Sequence, residues 1–395
     1  MLGTAVAAVS VVGMGPAFAD YQPQPGDVVG VGGDTPQYAV GFALNGYPHG
    51  GLGFNSSATV NRVISFDATA DGNARNAYAQ GSKETAPIPL NSTDVLRANT
   101  YPVQRVQSSG TAIKALLADW QATPTHPTQQ NPTYQNQINF VASASKPSTA
   151  QKTQAVNQGW GGLHTVQIAT DNIAVAVNSG GGGTNAPSGL SAQQLLYIYS
   201  TTGATWSTVP GITSGSSDVI IPELPPAGSS VYKTFIKALN KVYNNSTGTT
   251  PAFTLSSNVA TVEQNDPTAV TGAVRPQDAL VPFAAGRLTL WNSSFFHNPA
   301  TVFPGGSALT PNVALLTGTP GDGHAVYKSA ISDYIIFRQS DLSDITPIEP
   351  GGTLNWAKAL FSDSGGPAPF FAKASTGVLL ADAGVTWTYQ DLNTT

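Results

Sequence analysis

The chain has 395 residues, two to three times the usual domain length, and is 41% hydrophobic but only 10% charged, where a typical soluble domain carries about 25% charged residues. Its formal net charge is −5 with no run of Lys or Arg, which excludes the electrostatic footprint of a duplex or polyanion binder. Cys is absent, which excludes disulfides, thiolate metal sites, a catalytic cysteine and the lipidated cysteine of a bacterial lipoprotein.

Residues 1–19 carry no charge and end in Ala17-Phe18-Ala19, the pattern that signal peptidase cuts, here before Asp20. An export signal is expected there, without the usual basic n-region. No later stretch approaches the ~20 apolar residues of a membrane helix.

Three places then share one design, an apolar strand running into small hydroxyl residues and on into a helix. In VVGVGGDTPQYAV, Val28 to Val31 reads as a buried strand, Gly32-Gly33 as the turn, and Thr35-Pro36 as an N-cap followed by a first-turn proline. In QSSGTAIKALLADW, Ile113, Leu116, Leu117 and Trp120 fall at helical spacing behind Ser108, Ser109, Gly110 and Thr111. In VIIPELPPAGSSVYKTFIKALNKVY, Gly228, Ser229 and Ser230 open a stripe of Tyr232, Phe235, Ile236, Leu239, Val242 and Tyr243. A fourth helix is announced by a capping box, Ser191 with Gln194, and a hydrophobic staple of Leu190 on Leu195.

Strands alternating with helices predict an α/β fold. Val166 to Asn178 is long enough to cross between two lobes, and LVPFAAGRLTLW, Leu280 to Trp291, reads as the returning strand. Gly180 to Gly183 and Thr123 to Gln137 have loop compositions. The stretch AVYKSAISDYIIF fits a helical or a strand period equally well.

A helix start with unpaired N–H groups and hydroxyls favours an anion, although each such start alone reads as plain capping. Asp34 repels a fully ionised anion there, unless the ligand carries a proton to share with it.

The strings VGVGGDT, SSGTAIKALL, FVASASKPST, TDNIAVAVN, LSAQQLLYIY, IIPELPPAGSSVYKTFIKAL, VEQNDPTAV and LVPFAAGRL, in this order, resemble the phosphate-type periplasmic solute-binding proteins of ABC transporters, in their divergent Gram-positive form. The resemblance implies a type II periplasmic-binding-protein fold: two α/β lobes joined by a double-strand hinge, with no enzymatic activity and no cofactor. It implies lobe 1 from residues 20–168 and 284–395, lobe 2 from 169–283, and a ligand against Asp34, Thr35, Ser108, Ser109, Gly110, Ser143, Gly228, Ser229 and Ser230. The family's Ser-Gly-Thr at the third helix start is here Ser229-Ser230-Val231, its Arg four residues before that Ser is Pro225, and its Asp after the FVAS serine is Ala144. Arg105 and Lys146 are the first candidates to replace that Arg.

One competing motif is LFSDSGGPAPFF, in which Asp363-Ser364-Gly365-Gly366-Pro367 copies the nucleophile string of chymotrypsin-like serine proteases. That chemistry needs a His base and an orienting Asp, and none of the five His, at 49, 126, 164, 297 and 324, lies in the expected Ala-His context. The bland alternative is a Gly/Pro turn. No metal site is expected, since the His are isolated and no acidic run has EF-hand spacing. Glu84, Glu223, Glu263 and Glu349 are dispersed, and nothing selects a glycosidase pair among them.

The expectation is an exported, secreted or cell-surface binding protein for phosphate or a similar small oxyanion, partnered by an ABC transporter permease and not by nucleic acid. The alternatives are an extracellular protein that keeps this fold without transport and, behind it, a secreted serine hydrolase.

Overall fold

The computed structural model describes residues 23–24, 26–46, 52–56, 61–66, 68, 93–97, 103–106, 108–119, 137–293, 311–343, 355–364 and 366–394. The expected export signal, most of the Thr123 to Gln137 loop, and His49, His126, His297, Glu84, Trp120 and Glu349 lie outside these residues.

The architecture is a mixed α/β one, built on a ten-stranded sheet. On one side β1 (Val28–Gly32) pairs in parallel with β2 (Val63–Phe66) and β5 (Phe140–Ser143). β1 and β5 are buried along their whole length, and helices α1 (Gln37–Asn45), α2 (Ser109–Asp119) and α3 (Thr149–Asn157) accompany them. A separate short pair joins β3 (Thr93–Asp94) to β4 (Val103–Gln104).

The spine is β6 (Leu163–Asn178), 16 residues long. At about 3.3 Å per residue it reaches roughly 50 Å, enough to serve both halves of the molecule. After β6 come α4 (Ala192–Ser200), β7 (Ile221–Leu224), α5 (Ser230–Asn244), β8 (Ala260–Thr261), the single turn α6 (Thr268–Thr271), β9 (Ala279–Ala284) and α7 (Ala285–Trp291). β10 (Val313–Leu315), β11 (Ser329–Arg338), α8 (Trp356–Leu360), α9 (Ala374–Asp382) and β12 (Thr386–Asp391) complete the described chain. The first part of β6 is flanked by β11 and β12, and its last part by β9 and β10. β9 carries the sheet on to β7 and β8.

Two expectations change here. The run Leu280 to Trp291 is not one returning strand: it is β9 as far as Ala284 and then helix α7. A continuous apolar run does not distinguish a buried strand from a buried helix. What decides is Asp171, whose two carboxylate oxygens both accept from the Gly286 N–H, at 2.9 and 3.0 Å, fixing a negative charge on the first turn. The ambiguous stretch before Arg338 is strand β11, which runs antiparallel to β6 from Ser329–Ile173 to Arg338–Leu163 and also pairs with β5.

Two apolar clusters cover the β1/β5 region. One holds Phe42, Phe140, Phe337, Trp356 and Phe361, and the other holds Val29, Ile113, Leu116, Val141 and Ile336. A third cluster lies between α4, α5 and the far part of the sheet, with Ile198, Tyr199, Trp206, Phe235 and Leu239. The stripe on α5 is buried at Tyr232, Phe235, Ile236 and Leu239 and runs out at Tyr243, which is 54% exposed.

Candidate functional site

Each of the three helix starts is set by a different local device. Ser229 is the N-cap of α5: its hydroxyl accepts from the Tyr232 N–H at 3.1 Å. At α2, the Thr111 hydroxyl accepts from the Ser108 N–H at 2.9 Å and donates to the Ser108 carbonyl at 2.8 Å. At α1, Pro36 occupies the N-cap position and no side chain caps the helix, so Thr35 is not the cap expected from its place before proline. Its hydroxyl instead lies 2.9 Å from the Ser230 hydroxyl.

That contact joins residues 195 positions apart and places the α1 start against the α5 start. The α2 start is beside them. A Cβ on Gly33 would lie 2.7 Å from the Ser109 nitrogen, and a Cβ on Gly228 would lie 3.8 Å from the Ser108 hydroxyl. Gly33 is therefore a position where the backbones approach too closely for a side chain. The structure brings Thr35, Ser108, Ser109, Gly228 and Ser230 to one place.

Several predicted residues have structural employment there. The Ser143 hydroxyl donates to the Ser145 carbonyl at 2.7 Å, so its proton is turned into its own loop. The Ser109 hydroxyl accepts from the Ala144 N–H at 2.8 Å and keeps its proton to donate. Gly110 faces Lys233 of α5, whose Nζ would stand 3.5 Å from a Cβ at that glycine. Burial and then the neighbouring Lys114 of α2 lower the Lys233 pKa.

Asp34 is the largest surprise. It is buried, and its Oδ2 accepts from Gln264 Nε2 at 2.9 Å and from Asn265 Nδ2 at 2.6 Å. Arg287 closes the other side, with Nη1 3.1 Å from Asp34 Oδ1 and Nη2 2.6 Å from the Asp34 carbonyl. The same guanidinium lies 4.5 Å from the Tyr38 ring centroid, a cation–π distance. Gln264 also donates to the Thr35 hydroxyl at 3.1 Å and accepts from the Val231 N–H at 3.3 Å. Asn265 accepts from the Ala284 N–H at 2.9 Å. It adopts φ +57°, a left-handed conformation that Asn tolerates better than most residues.

Sequence reasoning missed Gln264, Asn265 and Arg287 as site residues. Their strings, VEQNDPTAV and LVPFAAGRL, carry the family resemblance, but nothing local marks those three side chains as partners of Asp34. Arg287 is the guanidinium that pairs with Asp34. Arg105 is buried, and Lys146 lies 5.7 Å from the Tyr334 ring centroid. With Arg287 paired to it, Asp34 no longer presents an uncompensated charge to an anion.

Ser364 has no His partner among the described residues. Its hydroxyl lies 2.9 Å from the Ser362 hydroxyl, and His164 has its two ring nitrogens on Gln339, at 2.8 Å, and Asp391, at 2.7 Å. The Ser362 hydroxyl reaches the other Asp391 oxygen at 2.7 Å. The carboxylate therefore stands between Ser362 and His164, the reverse of the order in which the imidazole faces the nucleophilic hydroxyl. Among the described residues no group of three His, Asp or Glu is arranged to hold a metal ion, and no helix is long and apolar enough to cross a membrane.

The PBP superfamily domain matches residues 69–323 of this chain. No match was found among curated proteins. Among solved structures, the chain is similar to a putative phosphate ABC transporter substrate-binding protein with bound phosphate from Clostridium perfringens, at 11% identity and TM-score 0.48, covering 92% of this chain and 99% of that one. It is also similar to PstS from Borrelia burgdorferi, at 12% identity and TM-score 0.37, covering 91% and 98%. A high-affinity periplasmic phosphate-binding protein, PfluDING, bound with phosphate, aligns at 16% identity and TM-score 0.45, covering 90% and 93%.

Proposed function

Because the chain belongs to the PBP superfamily, and is thus a two-lobed binding protein rather than an enzyme, we propose that it is an exported protein that captures phosphate or a similar small oxyanion for an ABC transporter. The observation that carries this reading is the meeting of the three helix starts, seen most directly in the 2.9 Å contact between the Thr35 and Ser230 hydroxyls. The first N–H groups of a helix have no acceptor within it, and the positive end of the dipole lies there. Lys233 and Lys114 add positive charge beside Gly110, while Asp34 is offset by Arg287. The balance favours an anion.

In this proposal residues 20–168 and 284–395 form one lobe and 169–283 the other, and the ligand sits between Thr35, Ser108, Ser109 and Gly110 on the first and Gly228, Ser229 and Ser230 on the second. Asp34 orders the site from behind rather than touching the ligand first. Ser143 supports the β5 turn.

Thermal melting with added phosphate tests it. A ligand that binds only the native state stabilises by roughly 2.7 kcal/mol at about 100 times its Kd, or several degrees at roughly 2–4 °C per kcal/mol for a domain of ~150–250 residues. The expected shift needs millimolar phosphate. Ser109→Ala or Ser230→Ala is expected to weaken binding at least about tenfold, since a hydrogen bond to a charged group contributes roughly 1.5–3 kcal/mol. No shift with millimolar phosphate or sulfate anywhere from about pH 5 to 8 would sink this reading in favour of a surface protein that keeps the fold without transport.

A further inference from the structure

Away from the cleft, a cavity of about 330 Å³ opens between β7 and α6, lined by Glu223, Val262, Glu263, Asp266, Thr268 and Ala269 among others. Three of these are carboxylates, and among the described residues no Lys, Arg or His lines the cavity. Asp266 Oδ1 is engaged by the Thr268 N–H, at 2.8 Å, and by the Thr268 hydroxyl, at 2.7 Å. Glu223 differs from it. Its residue is only 5% exposed, and its Oε2 is buried with no hydrogen-bond partner. A buried carboxylate oxygen without a donor is costly unless something completes it.

The shape and the lining decide what that something is. The volume is about ten times the ~30 Å³ share of one water and lies at the lower end of small-molecule pockets, about 300–1,000 Å³, so a bare metal ion underfills it. No described trio of acids is arranged to hold a metal. Val262 and Ala269, with Ala273, give the cavity an apolar wall beside its acidic one. We propose that this cavity binds a small organic cation, an alkylammonium or guanidinium group, with Glu223 as its buried anchor and Glu263 and Asp266 completing the negative wall. The site is independent of what occupies the cleft, although one loop serves both: Gln264 and Asn265 hold Asp34, and Glu263 and Asp266 line the cavity.

Burial and then the nearby Asp266 raise the Glu223 carboxyl to about 8. The other groups facing it are Glu263 and, from α4, Tyr199, whose hydroxyl donates to the Glu223 carbonyl at 2.9 Å. Capture of a cation therefore requires Glu223 to release a proton. This linkage gives the experiment a signature that non-specific binding to acidic surface lacks.

The full chain is titrated calorimetrically with n-butylammonium chloride and with methylguanidinium chloride, against sodium chloride at equal ionic strength, from pH 6 to 9. The expected result is saturable binding whose affinity rises by up to about tenfold per pH unit below pH 8 and levels above it, with proton release that scales with buffer ionisation enthalpy. Glu223→Gln, which keeps the shape, is expected to weaken binding at least tenfold and flatten the pH profile, and Glu263→Gln to weaken it less. Absence of saturable binding at every pH, binding to Glu223→Gln equal to wild type, or saturable calcium binding in place of the organic cations would each overturn the proposal.

Discussion

Asp34 is only 3% exposed, and an ionised carboxylate taken that far from water is tolerable only with compensation from charge and hydrogen bonds. Arg287, Gln264 and Asn265 supply it, and the consequences are asymmetric. Arg287→Met is expected to cost about 3–5 kcal/mol in urea unfolding, the usual effect of stranding one member of a buried ion pair, whereas Asp34→Asn combined with Arg287→Met is expected to cost much less. A single mutant as stable as wild type would show that the pair contributes little. Asp333 on β11 is the opposite case. It is fully buried, neither carboxylate oxygen has a partner, and burial, reinforced by Asp171, holds its pKa well above the usual carboxylate range. The folded state thus holds this proton more tightly than the unfolded chain does. The stabilisation is complete below the unfolded value of about 3.9 and is lost as pH rises, by about 1.4 kcal/mol per pH unit while only the folded carboxyl stays protonated. Asp171 and Asp119, both raised to about 6 by burial, act in the same direction between about pH 4 and 6. Asp333→Asn, permanently neutral, is expected to match wild type near pH 4 and to exceed it in stability at pH 7. Equal stability of the two at pH 7 would contradict this account.

At the scale of elements, the legible parts are those governed by local rules. The Ser191–Gln194 capping box forms as its spacing dictates, and the α5 start is capped by Ser229, within the Gly-Ser-Ser turn that marks it in sequence. Ser229→Ala is accordingly expected to cost about 1 kcal/mol, within the usual 0.5–2 kcal/mol for an N-cap, and to leave the ratio of phosphate affinities at two pH values unchanged. A changed ratio would mean that Ser229 touches the ligand's titrating group. The illegible parts depend on contacts far along the chain. Whether Ala285 to Trp291 continues a strand or begins a helix is settled by Asp171, 115 residues before Gly286. The helical or strand reading of β11 is settled by the edges that β5 and β6 offer it. For the site, the hydroxyl-rich turns were visible as helix starts, because small polar residues cap helices, and three of them follow apolar strands. Gln264, Asn265 and Arg287 were not visible, because an amide or a guanidinium declares its partner only when the chain brings Asp34 into hydrogen-bond reach.

For the whole molecule, on the proposed lobe division, one short segment carries a group of hydrogen bonds between the lobes at the helix starts. Asp34 and Thr35 belong to the first lobe on that division, and Ser230, Gln264 and Asn265 belong to the second. On the proposed reading this polar clamp lies where the two lobes would close on a ligand, and polar interfaces between lobes allow movement. Against the clamp stands the like charge of Lys114 on one side and Lys233 on the other, whose repulsion is largest at low salt and would be relieved by an anion in the proposed site. Two effects on shape are expected. Asp34→Ala removes the acceptor on which Gln264, Asn265 and Arg287 converge, and its radius of gyration in solution scattering should exceed that of wild type, for which a compact chain of this length gives about 21 Å. Lys233→Gln should do the reverse, holding the wild-type radius at low salt without phosphate while binding phosphate about tenfold more weakly, a loss of about 1.4 kcal/mol. An Asp34→Ala protein with the wild-type radius would place closure elsewhere, and a Lys233→Gln protein that binds phosphate as tightly as wild type would remove that lysine from the anion's path.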